Sequence, residues 1–238
     1  MKFHVAAVAP LVALAFAPAA QALEMSGEMY VVGTLGRSNI GYSEMQVDNN
    51  RLFARTLSSG TGYNSTQEQN SRVGAKLQLG YQFSPNFAIE GGYVNLGKTT
   101  YTATSPKQTV STTTKLWNLF PVTTTTTIPA SSGQREYKIT GWNLVGVAYY
   151  PVSEKLSLLG KVGMIRAEVK ASGSGNAIGG GDATVTKWKP TFGLGGDYNI
   201  NKEFGVRAEY ERFNGLGDTE TTGSANVGMF SMGVVGRF

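Results

Sequence analysis

The amino-acid sequence predicts an all-β fold, an eight-stranded antiparallel up-and-down transmembrane β-barrel, from three observations. Apolar and polar side chains alternate with a period of two along most of the chain. Short turns and long polar connections follow one another in strict alternation. Beyond the first two dozen residues, no segment approaches the roughly 18 consecutive apolar residues of a membrane helix. A composition with 31 glycines and only 16% charged residues also favours strands and turns over helices.

The first 22 residues have the organisation of a secretory signal peptide. A positively charged start precedes the apolar stretch 5–17, and Ala20-Gln21-Ala22 ends the segment with a small-x-small motif. A transmembrane helix is the alternative, but the apolar run is short of about 20 residues, and it contains Pro10 and Pro18. We therefore expect cleavage after Ala22, with residues 23–238 forming the barrel.

The alternation defines eight strands and assigns a face to each side chain. Along 73–83 one face is apolar throughout, whereas the other carries only polar side chains and glycine. In a water-soluble sandwich the apolar face would meet a core, but in a membrane barrel it faces lipid and the polar face lines the lumen. Comparable segments lie at 29–36, 87–94, 191–200, 204–211 and 229–238, and two further segments, 140–150 and 156–167, are more uniformly apolar.

The connections between these segments differ in length in a regular order. Short turns are predicted at 84–86, 151–155 and 201–203. Long polar connections are predicted at about 38–70, 98–137, 168–187 and 214–227. Outer-membrane barrels have short periplasmic turns and long extracellular loops, whereas a soluble sandwich has no reason to sort its loops in this way. The sequence therefore predicts a protein of the bacterial outer membrane, with membrane lipid and lipopolysaccharide as its surroundings.

The face assignment places six charged side chains in the lumen, three of each sign. They are Lys76, Glu90, Lys161, Asp197, Arg207 and Glu209. An eight-stranded barrel has an interior largely filled by side chains, and buried charges are tolerated there only when they are paired. We therefore predict a network of ion pairs that plugs the lumen. A narrow or gated porin-like pore, or a conduit for small solutes or hydrophobic molecules, is the alternative.

Three segments near the C-terminal end resemble the membrane domain of the outer membrane protein A (OmpA) family. Residues 190–200, 203–210 and 228–238 are similar to the sixth, seventh and last strands of that domain, respectively. The resemblance covers most strands but none of the long loops. It also stops at the last residue, so the peptidoglycan-binding domain of full-length family members, and any role in cell-wall tethering, are not carried over.

The resemblance to the OmpA family implies two further features. Asp197 and Arg207 fall where the family keeps an interior ion pair, in agreement with the faces assigned from the alternation. The terminal Phe238 resembles the signal by which the outer-membrane assembly machinery recognises its clients. We therefore expect that machinery to be a partner of this chain.

Catalytic and metal-binding side chains are scarce. The chain contains no cysteine, and its single histidine, His4, lies within the expected signal peptide. Ser–His and Cys–His catalysis and histidine-based zinc sites are therefore excluded from the mature chain. Glu209 and Glu211 share one face, but we interpret them as lumen charges rather than a catalytic pair. We predict no enzyme activity, no cofactor and no metal. The scattered basic residues do not indicate nucleic-acid binding either.

The connection 98–137 is unusual because it is rich in threonine around an apolar island. Leu116, Trp117, Leu119 and Phe120 form the centre of that island. One interpretation is that the island packs against the barrel rim or extends the strands beyond the membrane. The other is an exposed adhesive patch that contacts host or surface ligands, since apolar surface on a solvated loop often marks an interaction site. We therefore predict a structural or surface-interaction role.

Overall fold

The computed structural model describes residues 27–40, 64–68, 73–105, 107–116, 120–175 and 182–238. Every regular element in these ranges is a β-strand. None of the described residues belongs to a helix long and apolar enough to cross a membrane. The expected signal peptide, 1–22, lies outside the described residues.

Eight long strands form the body of the molecule, and three shorter ones lie beyond it. The long strands are β1 (Glu28–Ile40), β3 (Val73–Ser84), β4 (Phe87–Ser105), β7 (Ser131–Pro151), β8 (Leu156–Gly175), β9 (Ala183–Asn199), β10 (Phe204–Asp218) and β11 (Gly223–Arg237). The short strands are β2 (Asn64–Glu68), β5 (Gln108–Leu116) and β6 (Phe120–Ile128). Strand β2 pairs with the far end of β4, and β5 pairs with β6 in a separate hairpin.

The eight long strands close into a barrel, because β1 pairs antiparallel with both β3 and β11. Residues of each long strand have register partners on the next strand. Following these partners from Tyr30 around the barrel leads through every long strand and back to β1 at Ile40, ten residues further along. Such an offset requires the strands to tilt against the barrel axis. Closure pairs each of the eight long strands, as far as they are described, with a neighbour on both sides, as hydrocarbon surroundings demand. The predicted eight-stranded antiparallel barrel is thus confirmed.

The alternation within each strand separates an outer apolar face from an inner one. Outward side chains such as Leu77, Leu194 and Met232 are 61–73% exposed and form a continuous apolar band. In β7 and β8 the alternation was hard to see in the sequence because the inward side chains are apolar as well. Val145 and Val147, for example, are buried within the barrel.

Three short turns join the strands at one end of the barrel, which we call the turn end. The Ser84 hydroxyl accepts a hydrogen bond from the Phe87 N–H at 3.0 Å. The Asn201 side-chain oxygen accepts from the N–H groups of Glu203 and Phe204 at 3.0 and 2.6 Å. These side chains accept hydrogen bonds from backbone N–H groups that have no partner in the β-sheet, which is the usual reason for Ser and Asn in turns. The turns coincide with the predicted positions, and the opposite end is the loop end.

At the loop end the strands run much further than the sequence indicated. Residues 98–137 were predicted as a loop, but β4 continues to Ser105 and β7 begins at its register partner, Ser131. The prediction of a loop is wrong for most of this segment. Both faces of the extension are polar, so the period-two signal disappears even though β-branched threonine favours strands. The strand extension offered by the first interpretation is present in β4 and β7, and the adhesive interpretation of the apolar island stays a prediction.

The predicted loop 214–227 is also mostly strand, closed by a turn at 219–222. Gly215, Gly217 and Gly223 have φ angles of 63°, 93° and 77°. These left-handed conformations suit glycine, and here they accommodate a bulge between Phe213 and Leu216 and the entry into β11. These glycines therefore shape a continuous hairpin.

The other two predicted loops are shortened by the same continuation. Within 168–187, strands β8 and β9 leave only the connection 176–182, of which 176–181 lies outside the described residues. Within 38–70, β1 extends to Ile40 and β2 occupies 64–68. Residues 41–63 and 69–72 lie outside the described part of the chain. Inward apolar side chains such as Val169 and Ala171 continue the barrel interior through these extensions.

Candidate functional site

The candidate site is the barrel interior, where all six predicted lumen charges are buried. Lys76, Glu90, Lys161, Asp197, Arg207 and Glu209 are each at most 4% exposed. They come from five strands, β3, β4, β8, β9 and β10, which the closed sheet brings around one axis. In each strand the charge occupies an inward position, so the period-two alternation alone aims it into the lumen.

Arg207 is the centre of the half of the network nearer the turn end. Its Nε and Nη2 atoms donate to the two carboxylate oxygens of Asp197 at 2.7 and 2.8 Å. Its Nη1 atom donates to Glu90 Oε1 at 2.6 Å, and Nη2 also donates to the Tyr149 hydroxyl at 2.8 Å. The Tyr30 hydroxyl donates to Glu90 Oε1 at 2.7 Å. The guanidinium is thus held by a bidentate pair and two further acceptors, an arrangement suited to a buried arginine.

Two lysines continue the network toward the loop end. Lys161 Nζ lies 2.6 Å from Glu90 Oε2 and 2.7 Å from Glu209 Oε2. Lys76 Nζ forms ion pairs with Glu209 Oε1 and, at 2.8 Å, with Glu211 Oε2. Glu90 and Glu209 therefore each bridge two cations. The result is a ladder of alternating charges, from Asp197 through Arg207 to Glu211, which we call the ionic ladder.

Two further charged side chains join the six: Glu211, interpreted above as a lumen charge, and Arg237, which the sequence did not single out. Glu211 is fully buried and accepts a hydrogen bond from the Thr191 hydroxyl at 2.8 Å. Four carboxylates then face three cations, and Arg237, with Nη2 at 3.8 Å from Asp197 Oδ2, stands at the turn end of the ladder. The spacing of Glu211 two residues after Glu209 had placed it on the inward face, and the structure pairs it with Lys76.

Above the ionic ladder, toward the loop end, the interior becomes apolar. We call this layer the apolar plug; its largest members are Ile40, Leu96, Tyr137, Ile139, Ile165, Phe213, Leu216 and Met229, all fully buried. It follows directly from the inward positions, because Phe213 is the inward residue after Glu211 and Ile165 lies four residues after Lys161. The layer differs from the polar inward face that the alternation predicts.

At the turn end the interior opens into a vestibule of about 820 Å³. Tyr149, Asp197 and Arg237 line its inner part, and the turns around 151–155 and 199–202 line its mouth. The vestibule therefore leads from the turn end to the ionic ladder. The apolar plug separates the ionic ladder from the loop end.

Comparison with known proteins agrees with this architecture. A family model described as the OmpA-like transmembrane domain matches residues 26–238. The chain belongs to this family. The predicted resemblance is thus confirmed, and the chain is a small protein of the bacterial outer membrane.

Similar proteins include curated relatives and one solved barrel. Outer membrane protein A of Salmonella typhi is 27% identical over 98% of this chain and 55% of its own length. That of Escherichia coli O157:H7 is 29% identical over 98% of this chain and 54% of its own length. The chain thus spans about half the length of these relatives. The crystal structure of Neisserial surface protein A has the same fold, with a TM-score of 0.51 and 13% identity over 88% of this chain and 97% of its own.

In this OmpA-like barrel the predicted assembly residue, Phe238, lies at the turn end beside the closing strand. Its N–H donates to the Met29 carbonyl at 3.0 Å, and its side chain is 73% exposed. The ring therefore remains accessible at the end of β11, next to β1.

At the loop end, the OmpA-like barrel carries the β5–β6 hairpin with an exposed row of hydroxyl groups. Thr113 and Thr123 are register partners with hydroxyl oxygens 3.0 Å apart, and those of Ser111 and Thr125 are 3.2 Å apart. Cross-strand pairs of this kind stabilise a two-stranded sheet. Of the predicted apolar patch, Leu116 and Phe120 are partners that end the described pairing, whereas Trp117 and Leu119 lie outside the described residues.

Charged side chains on the loop-end extensions form ion pairs at the surface. Lys98 pairs with Glu136 at 2.9 Å, and Lys170 pairs with Glu168 at 3.0 Å. Lys187 pairs with Asp218, and the hydrogen bond it donates is the main reason that the pKa of this carboxyl is lowered. Among the described residues, no group of His, Cys, Asp or Glu side chains could hold a metal ion.

Proposed function

We propose that this chain is a non-conducting, non-catalytic outer-membrane barrel that anchors a surface-exposed contact region. The barrel supplies the membrane anchor, and the extended β4–β7 sheet with its β5–β6 hairpin supplies the contact region. Outer-membrane barrels place their long connections outside the cell, so the loop end would face the exterior. The narrow-pore function is the alternative, and the polar ladder is the observation that favours it.

The observation that carries the non-conducting function is the presence of two sealing layers in series. A hydrated ion entering the vestibule meets Arg207 and Glu90, whose charges are already compensated by each other and by neighbours. Beyond the ladder it meets the apolar plug, where an ion would lose its hydration without gaining a polar partner. Buried carboxylates that are fully engaged by lysine and arginine also have no obvious role as general acids or bases.

The surface-contact function is supported by the chemistry of the hairpin. Thr109, Thr113 and Thr127 are exposed, as is the apolar side chain of Val122 at 48%. Hydroxyl groups held in a regular row, with apolar surface beside them, suit contact with a glycan or an extended protein segment. Because hydroxyl groups donate and accept hydrogen bonds without charge, we expect such contacts to be little affected by salt.

The non-conducting function predicts that refolded protein gives no large, stable current steps in planar bilayers. Folding of the sample is verified by the shift in gel mobility between unheated and boiled protein. Stable steps would contradict the sealed barrel. If the current steps changed in size in a Lys161→Met variant, the ions would be passing along the ionic ladder. The narrow-pore function would then replace the non-conducting function.

The surface-contact function predicts that removal of the hairpin lowers adhesion and leaves the barrel intact. Ser105 and Ser131 are direct register partners, so an Asn-Gly turn can join them in place of 106–130. Bacteria displaying this shortened barrel should bind epithelial cells or immobilised collagen less than bacteria with the full chain. A variant with serine at positions 109, 113, 123, 125 and 127 keeps the hydroxyl row and should retain binding. Equal adhesion of full and shortened barrels would contradict the surface-contact function.

A further inference from the structure

The outer face of the barrel carries arginine in a repeated position toward the loop end. Four of the long strands, β1, β4, β8 and β10, run from the turn end to the loop end. In β1, β8 and β10, the outward position directly after the last large apolar side chain of the band is an exposed arginine, whereas in β4 it is Asn95. The successive outward pairs are Leu35 and Arg37, Met164 and Arg166, and Tyr210 and Arg212. We call the three arginines the arginine collar.

Arg166 shows the surroundings of the collar most clearly. Its register partners are Trp142 on β7 and Trp188 on β9, so the guanidinium stem starts between two indole side chains. Both tryptophans point outward and are 63% and 56% exposed. Trp is enriched where acyl chains meet lipid headgroups. This places Arg166 at the upper boundary of the apolar band rather than in open solvent.

Within the described part of the barrel, the three arginines of the collar form no ion pair with a carboxylate. No described carboxylate lies within ion-pair distance of Arg37, Arg166 or Arg212. Arg212 donates only to the uncharged side-chain oxygen of Asn214, at 3.0 Å. The outward carboxylates Glu136 and Glu168 are instead paired with lysines. The collar can therefore accept an anion from outside the protein.

The turn end has no equivalent collar among the described residues. Its outward positions carry exposed apolar or aromatic side chains, such as Tyr150, Tyr198, Phe204 and Phe238. Arg237, although close to that end, occupies an inward position near Asp197. A protein surrounded by the same lipid in both leaflets would have no need for this asymmetry, but the two leaflets of an outer membrane differ.

We propose that the arginine collar binds the phosphate groups of lipopolysaccharide in the outer leaflet. Lipopolysaccharide carries phosphate next to its acyl chains, at the level where the apolar band ends and the collar begins. Guanidinium groups bind phosphate oxygens in a bidentate manner, and their aliphatic stems can lie along apolar surface while the charge reaches the headgroups. The proposal uses the orientation with the loop end outside, but it does not depend on whether the lumen is sealed.

The test measures lipopolysaccharide binding to the full chain, purified in detergent. Wild type is compared with R37Q/R166Q/R212Q and with the control K98Q/K170Q/K187Q, which removes the same charge from cations that already have carboxylate partners. We expect the collar variant to lose at least about tenfold in affinity, and the control to lose much less. Lipid A without phosphate should bind wild type as weakly as phosphorylated lipid A binds the collar variant. All six positions are exposed, and the heat-dependent gel shift verifies that each variant is folded.

Three results would overturn the proposal. Equal losses of affinity in the collar variant and in the control would show that any positive charge on the surface attracts the negatively charged lipid. Equal affinity for phosphatidylglycerol would show that the collar does not distinguish the outer-leaflet lipid. Equal affinity for soluble polyphosphate would assign the collar to a water-soluble polyanion instead. None of these results would bear on the hairpin or on conductance, so the proposed function is tested separately.

Discussion

Replacing Arg207 with alanine is expected to lower the free energy of unfolding by about 3–5 kcal/mol, the range for removing one partner of a buried ion pair. The substitution leaves Asp197 without its bidentate partner and Glu90 with one cation fewer. It also removes a donor from the Tyr149 hydroxyl. Urea unfolding of the barrel refolded into lipid vesicles measures the change. The exposed Arg212→Ala variant is the matched control and should unfold at nearly the wild-type urea concentration.

A double variant separates the cost of an unpaired charge from the loss of packing. In D197N/R207A the residue at position 197 is neutral, so no carboxylate remains there without a counter-ion. We expect this variant to be more stable than R207A alone, because the destabilisation comes mainly from the buried charge left behind. A loss below about 1 kcal/mol in R207A would show that the ladder contributes little. A double variant less stable than R207A would show instead that the buried carboxylate left unpaired is not the source of the loss.

The ionic ladder also shows how far the sequence determines the site. The inward positions of Lys76, Glu90 and Arg207 followed from alternation alone, because a strand leaves each side chain only two directions. The pairing did not follow, since it depends on strand stagger. The ten-residue offset around the barrel sets which inward side chains lie at one level, so Lys161 on β8 reaches both Glu90 and Glu209.

The apolar plug was missed, and strand extension was only one of two interpretations, because the expected contrast between the strand faces is absent from both regions. In the plug the inward side chains are apolar, so the period-two contrast is weak where an outward neighbour is apolar, as at Ile165 beside Met164, and it is inverted where the outward neighbours are polar, as at Ile139. In the extension of β4 beyond the membrane both faces are polar, so the contrast vanishes again. A strand is recognised from its sequence by the difference between its faces. Where the surroundings on both sides are alike, hydrogen bonding continues without a sequence signal.

Substitution of Gly233 by valine is expected to destabilise the barrel by about 3 kcal/mol or more, at or above the upper end of the usual cost of overpacking. Gly233 lies on β11 at the seam where the barrel closes, opposite Thr34 on β1. A Cβ atom there would lie 1.9 Å from the Gly33 carbonyl oxygen and 2.6 Å from the Thr34 Cα. Both are backbone atoms, so relief requires β1 and β11 to move apart, at the cost of ladder hydrogen bonds.

Gly33, on the other side of the same seam, is the matched control. A Cβ atom at this position meets no other atom within 4 Å, and the Gly33→Val side chain would extend the outward apolar band. Because valine favours strands more than glycine does, we expect Gly33→Val to be as stable as wild type or slightly more stable. Urea unfolding in vesicles and the gel shift on heating measure both variants. If the two unfolded at the same urea concentration, close approach at the seam would not be what requires glycine at 233.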